Sequence, residues 1–516
     1  MGLDVPRESF EQADFERFAA KLQSNLQALD LLLRRPGFGE GPASVGAELE
    51  LNLVDERGSP ALVNTEVLAI VPDDRLTLEI NRFNLEINAR PSPLAGRPFS
   101  AMHAELAHAL GAARRGARSI GARVAAIGIL PTLERRHLGA SALTDAKRYR
   151  ALAAGLMRIR GEAFDIRIDG EDELEVRSHE VTFEGANTSL QVHLRVAPDA
   201  FARTYNAAQA ATAVVLAAAG NSPFFLGHRL WHETRVALFK QSVDDRGDAR
   251  EGDWRPARVS FGHGWVRQGA RELFEEGVKL HEPVLPVLDA EDPLVVVHAG
   301  GTPTLSELRL HHGTIWRWNR AVYDPDGGGH LRIEMRALPA GPSVRDTVAN
   351  AAFIVGLTLG LAPRMDEITA AFTFGHARRN FYEAARHGLG AELLWPEPVA
   401  PSPRGAGAAE LAARLLPLAR QGLVAGGVEA AEADAWLALI ERRVASGVTG
   451  AVWQRRAFER ALAGETRSSR SGSPPAEEAP REVLASARAR DALCSMLESY
   501  LAQSEADIPV HEWALP

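Results

Sequence analysis

Two glutamates, Glu48 and Glu50, stand two residues apart in the otherwise apolar stretch "VGAELELNLVD" (45–55). Side chains of a strand alternate between faces, so Glu48, Glu50 and Asn52 share one side while Ala47, Leu49, Leu51 and Leu53 take the other. Two carboxylates about 6–7 Å apart on one face repel unless water or a cation compensates. Three further stretches repeat the pattern. "EINRFNLEINARP" (79–91) sets Asn84, Glu86 and Asn88 against Phe83, Leu85, Ile87 and Ala89, with Glu79 seven residues before Glu86. "NTSLQVHLRV" (187–196) sets Ser189, Gln191, His193 and Arg195 against Leu190, Val192, Leu194 and Val196. "LRIEMR" (331–336) sets Arg332, Glu334 and Arg336 against Leu331, Ile333 and Met335.

Each stretch alone is most simply a half-exposed strand. Together they carry glutamate, glutamine, asparagine, histidine and arginine and no lysine, unlike a solvated face of mixed Thr, Lys, Gln and Ser. Five glutamates on one concave surface cannot all ionise without cations. Hard cations such as Mg²⁺ prefer carboxylate oxygen and keep positions open for water and phosphate. Guanidinium groups present a planar fork of donors suited to phosphate or carboxylate. Carboxylate-bound divalent metal with arginine is the composition of a phosphoryl-transfer site.

The surrounding text must supply the sheet that carries these residues. Residues 9–35 show helical spacing of Phe and Leu, ending before Pro36-Gly37. From about 41 to 340 alternating strands are interrupted by helices, expected at 98–120, 142–160, 199–220 and 228–241. An apolar helix follows Gly341-Pro342-Ser343 at 344–361, then an Ala/Leu/Glu/Arg-rich helical region to about 465. The segment 464–482 reads as a linker or surface loop, and a last helix is expected at about 481–504. Strand alternation rather than continuous apolar runs predicts an α+β fold with a largely antiparallel sheet and flanking helices. The expected division is an N-terminal helix (1–40), a catalytic domain (41–365) and a C-terminal helical region (366–516).

Composition narrows the function further. The formal net charge is -9 over 516 residues, without the basic field of a generic nucleic-acid binder. Cys494 is the single cysteine, so no internal disulfide forms, and a core thiol in a reducing compartment is expected. The first residues show no signal-peptide pattern, and the apolar runs "AAQAATAVVLAAAG" and "AAFIVGLTLGLA" read as buried helices too short to span a bilayer. A soluble cytoplasmic protein with no membrane or nucleic-acid partner is expected. There is no Walker A sequence and no zinc motif: the His-Glu pairs at 179–180, 232–233, 281–282 and 511–512 lack a second spaced histidine. "GHGWVRQG" (262–269) has the wrong spacing for a dinucleotide fingerprint.

On these four stretches the chain resembles the glutamate–cysteine ligases and related carboxylate–amine ligases of the glutamine synthetase superfamily. "GAELEL" is similar to their paired-glutamate strand, "LEINRFNLEI" to the next metal-binding strand, and "RIEMRALPAGP" to their Glu-x-Arg strand. "SLQVHL" resembles the Gln/His-x-Asn/His strand, "HHGTIWRWNR" (311–320) the threonine- and arginine-bearing segment, and "NSPFFLGHRLWHETR" (221–235) the Ser-Pro-Phe helix-loop. The resemblance covers roughly 41–365. It implies a curved antiparallel sheet of glutamine synthetase type, ATP with two or three Mg²⁺ (or Mn²⁺), an acyl phosphate, and amide formation from glutamate or a similar acid and an amine such as cysteine. By position it implies Glu50, Glu79 and Glu86 around one ion, and Glu48, Gln191 and Glu334 around the ion bridging the ATP phosphates. Arg336 and Arg320 would neutralise the transferring phosphoryl group and anchor the acceptor carboxylate, and His193 and Arg235 would contact phosphate or substrate. Gln191 stands where many members have histidine, and His193 where those with glutamine usually have asparagine.

Two other classes compete: a hydrolase using Glu48 and Glu334 as acid and base, and a non-catalytic descendant binding a small amino-acid-like ligand. The first leaves the arginines without a purpose, and the second does not need so many like charges. Trp316 and Trp318 are expected to pack in the core, and His511 and Trp513 to dock the C-terminus. Whether the chain assembles as a homo-oligomer is left open.

Overall fold

A computed structural model describes residues 5–247, 255–397, 402–468 and 487–516. Its centre is a seven-stranded sheet built from β1 (Ser44–Val54), β2 (Leu76–Leu78), β3 (Asn84–Pro93), β4 (Arg123–Ala125), β5 (Ser189–Val196), β6 (Asn319–Asp324) and β7 (His330–Pro339). The order is β6-β7-β5-β1-β3-β2, with β4 also pairing β1, and every pairing is antiparallel. The alternation expected from the sequence is realised: Leu49, Leu51, Leu53, Leu85, Ile87, Leu190, Val192, Leu331 and Ile333 are all fully buried. Burying each such side chain contributes about 1.5–3 kcal/mol. That apolar density fixes the register, because a one-residue slip would expose the whole row.

Helices Pro98–Ser119, Phe201–Ala219 and Val344–Leu361 pack on the sheet. The Asn319 side chain donates to Gln209 (2.6 Å) and Thr212 (3.0 Å) of the second helix. The third starts in a capping box in which Ser343 and Asp346 satisfy one another's amides. Together with the 3₁₀ turn and short helix that follow, it forms a stretch (Val344–Ala371) long and apolar enough to cross a membrane, longer than the apolar run in the sequence predicts. Most of its apolar part (72%) is buried inside the protein, as a core helix would be.

The region after 366 is not wholly helical: a two-stranded hairpin, Glu392–Trp395 with Arg404–Gly407, precedes helices Ala408–Ala425, Ala430–Ser446 and Gly450–Ser468. Its four-residue strands are too short to announce themselves in the Ala/Leu-rich text. Helices Val344–Leu361 and Ala408–Ala425 approach so closely at Gly356, Gly360 and Gly422 that a Cβ on Gly422 would lie 2.2 Å from the Gly356 carbonyl oxygen. The Arg443–Asp346 ion pair (2.7 Å, both side chains buried) and the Val510 amide on Asp346 (2.9 Å) tie this region to the core helix. The C-terminus docks as expected, with the Trp513 ring edge-on to Trp453 and Tyr500 at 5.0 and 4.9 Å. His511 accepts from Arg442 at 3.2 Å. Cys494 is only half-buried rather than a core thiol. The expected linker at 464–482 closes a helix at 464–468 and from 469 lies outside the described residues.

Candidate active site

The antiparallel registers decide which polar side chains meet. Glu50 of β1 stands opposite Glu86 of β3, and Glu48 of β1 opposite Gln191 of β5. Like charges directly opposite destabilise a sheet, so both acids need partners. Glu50 accepts from the Ser189 amide (2.6 Å) and the Gln191 side chain (3.0 Å). Glu86 accepts from Asn88 (2.8 Å) and the Thr77 hydroxyl (3.3 Å). Below them the face closes over Asn52 and Asn84, both buried, with Asn84 donating to Asn52 at 3.0 Å.

Glu79 departs from the single strand expected over 79–91. A strand ends at Leu78, residues 79–83 turn, and β3 begins at Asn84. The turn forms because side chains and backbone there satisfy one another: the Ile80 amide donates to Glu79 (3.1 Å) and the Asn84 amide to the Asn81 carbonyl. Glu79 nevertheless remains close enough to Glu86 and Glu50 to feel their charge.

A second group gathers on β5, β6 and β7. His193 of β5 pairs in register with Glu334 of β7, and Glu334 with Arg320 of β6. Arg320 donates twice to Glu334, at 2.6 and 3.2 Å, and the Arg336 guanidinium lies 3.5 Å from its other oxygen. His193 Nε2 is 3.1 Å from Glu48, so the imidazole sits between Glu48 and Glu334, while the Gln191 amide turns to Glu50. Arg235 is engaged elsewhere: it is buried, pairs with Glu233 at 3.0 Å and donates to the Ala337 carbonyl at 3.2 Å. It still acts on Glu50 through its charge.

Electrostatics divides the acids into two sets. Burial opposes ionisation of Glu48 and Glu334, yet His193 beside the first and Arg320 with Arg336 beside the second hold both below the ordinary carboxylate range. Burial, reinforced by Glu48 and Glu50, pushes Glu86 up to about 8. Glu79 is driven well above the usual range by burial, Glu86 and Glu50, and Glu50 is raised by burial despite Arg336 and Arg235.

Among the described residues no three His, Cys, Asp or Glu side chains form a ready-made metal cluster. The donor set still suits a hard cation. Glu50, Glu79 and Glu86 are neighbouring oxygen donors whose carboxyls are all raised, by burial first and, at Glu79 and Glu86, also by the adjacent acids, and a divalent ion would relieve that cost.

One acid here was not singled out in the sequence. Glu184 is raised to about 8 by burial and by Glu50. It belongs to a turn clamped onto the Glu79 segment: Asn81 donates to the Thr182 carbonyl (2.9 Å), and a Cβ on Gly185 would lie 2.3 Å from Ile80 and 2.5 Å from Asn81. "FEGANTS" carries no alternation, and Glu-Gly before a strand was the only signal.

The family model for glutamate–cysteine ligase family 2 matches residues 44–473. No curated protein sequence matches. Among solved structures, the chain is similar to a glutamate–cysteine ligase from Francisella tularensis in complex with AMP, with TM-score 0.53 and 11% identity over 90% of this chain and 98% of that one. It is also similar to a bifunctional glutathione synthetase from Pasteurella multocida (TM-score 0.50, 11% identity), covering 96% of this chain and 54% of that one. With a family match spanning most of its length, the chain belongs to glutamate–cysteine ligase family 2.

Proposed function

We propose that this protein is an ATP-dependent carboxylate–amine ligase that phosphorylates a carboxylate and lets an amine displace the phosphate, with glutamate as the acid and cysteine or another amine as acceptor. The observation that carries this reading is the adjacency, on one antiparallel sheet, of the acid face Glu48, Glu50 and Glu86 to the Arg320–Glu334–Arg336 group. Magnesium, bound by the glutamates, would supply charge neutralisation for the nucleotide phosphates. Glu50, Glu79 and Glu86 would hold one ion and Glu48, Gln191 and Glu334 another.

The chain's own residues then act by positioning and charge. Arg336 directs donors at the transferring phosphoryl group, whose equatorial oxygens carry the growing charge. Arg320, fixed by Glu334, anchors a carboxylate. His193, held beside Glu48, would contact phosphate or substrate. No protein nucleophile is required, because the substrate carboxylate attacks phosphorus and the amine attacks the activated carbonyl carbon. The two orienting devices, cross-strand register and buried ion pairs, keep these groups still through both steps.

Trapping tests the intermediate. With ATP, Mg²⁺, glutamate and hydroxylamine the protein should produce a hydroxamate, and it should produce none without ATP. If glutamate, other amino acids and small carboxylic acids all yield no hydroxamate while ATP is bound, the acyl-phosphate reading is wrong.

A further inference from the structure

Arg336 is held differently from Arg320 and Arg235. Arg320 makes two hydrogen bonds to Glu334, and Arg235 pairs with Glu233 at 3.0 Å. Arg336 is 9% exposed, and among the described residues its one ion pair is the 3.5 Å approach to Glu334. A guanidinium with five donors and one long ionic contact needs something else to fix its direction.

Two features do so. First, the β5–β7 register slips between Met335 and Leu338, so two residues, Arg336 and Ala337, occupy the space of one on the partner strand. Such a bulge re-aims the side chain it carries. The Arg336 amide donates to the Trp318 carbonyl at 3.0 Å, on the β6 side of the strand. Second, the re-aimed guanidinium lies over the ring of Phe239, 5.7 Å from its centroid, within the range of a cation–π contact.

Phe239 cannot turn away. It is 5% exposed, and Trp316 and Trp318 meet its ring edge-on at 6.0 and 5.7 Å. Trp318 is in turn packed against Phe381 at 5.4 Å. The two tryptophans are core residues, as the sequence suggested, and they form the walls of an aromatic box whose floor supports one arginine.

We infer that Phe239 is a positioning residue: its ring, locked by Trp316 and Trp318, orients the bulge-borne Arg336 guanidinium so that its donors stay free for an anionic ligand. This rests on the reading of Arg336 as the anion-binding arginine given above. A ring offers attraction without occupying N–H groups, whereas a carboxylate in the same place would consume them. Replacing Phe239 by an aliphatic residue of similar bulk keeps the packing and removes the platform.

The full-length chain is tested with inorganic pyrophosphate as the probe, read as the rise in melting temperature on titration, which needs no turnover. Wild type and Phe239→Tyr should rise together, Phe239→Leu and Phe239→Met should keep less than half the rise, and Arg336→Gln should lose it. If Phe239→Leu does not fold, Phe239→Met carries the comparison. Should both aliphatic variants, or the one that folds, respond like wild type while Arg336→Gln does not, the platform is wrong and the role of Arg336 stands. A wild-type chain that ignores pyrophosphate, or an Arg336→Gln variant that still responds fully, would overturn both.

Discussion

Glu50 and Glu86 face each other directly across β1 and β3, two carboxylates at a position where a sheet ordinarily pairs opposite charges. A carboxamide at either position removes the repulsion. Glu86→Gln should therefore raise the melting temperature of the metal-free protein, by about 0.5–1 kcal/mol in stability. The same variant should lose most of the Mg²⁺-induced rise seen in wild type. Thermal melts in EDTA and in Mg²⁺ check both halves.

The raised acids also set a pH dependence. Glu86 and Glu184 are each pushed up to about 8, above their ordinary value near 4.5, so the folded state holds protons that the unfolded chain releases. The stability they allow is fully present below about 4.5 and is lost as pH rises through about 8. In EDTA the melting temperature should fall between pH 5 and 8.5, and saturating Mg²⁺ should flatten the fall. A Glu86→Gln/Glu184→Gln variant in EDTA should show a shallower slope than wild type.

Arg320 is the main partner of Glu334, which is 1% exposed. Arg320→Met would leave a buried carboxylate with the longer Arg336 contact and the neighbouring His193, at a cost of about 3 kcal/mol. Arg320→Met/Glu334→Met removes both charges and should recover most of that loss without recovering activity. Urea denaturation of the two variants, compared with wild type, reads the difference.

Gly185 lets the Glu184 turn sit against Ile80 and Asn81. Gly185→Ala must push these segments apart and should destabilise the fold by about 1–3 kcal/mol. Because the displaced turn carries Glu184 beside the acid face, the Mg²⁺-induced rise in melting temperature should shrink as well. Equal metal responses in wild type and variant would place Glu184 outside the site.

Much of this arrangement was legible in the sequence because period-two alternation in four strands separates an apolar face from a polar one. Leu49, Leu85, Val192 and Ile333 are core residues where the pattern demanded it. Register was not legible, since it depends on which strand neighbours which. That is why the pairing of His193 with Glu334, and the turn of the Gln191 amide toward Glu50, emerged only from the structure. The turn at 79–83 was hidden for a related reason: Asn and Glu there alternate as in a strand, while local side-chain bonds end the ladder. Glu184 and Phe239 lie on a loop and a helix, where strand periodicity carries no information. Arg235 stands out in the sequence through its motif, and its buried bond to Glu233 gives it a structural duty alongside its charge on Glu50.

The proposed ligase couples nucleotide cleavage to amide formation at the acid and arginine face. The most direct measurement of this coupling is ADP release by the purified protein with ATP, Mg²⁺ and glutamate across a panel of amino acids and amines. Release should require both acid and amine and should fall by about 10²-fold or more in Glu50→Gln and Glu334→Gln. Release that ignores the amine, or its absence with every acid and amine pair, would contradict the account.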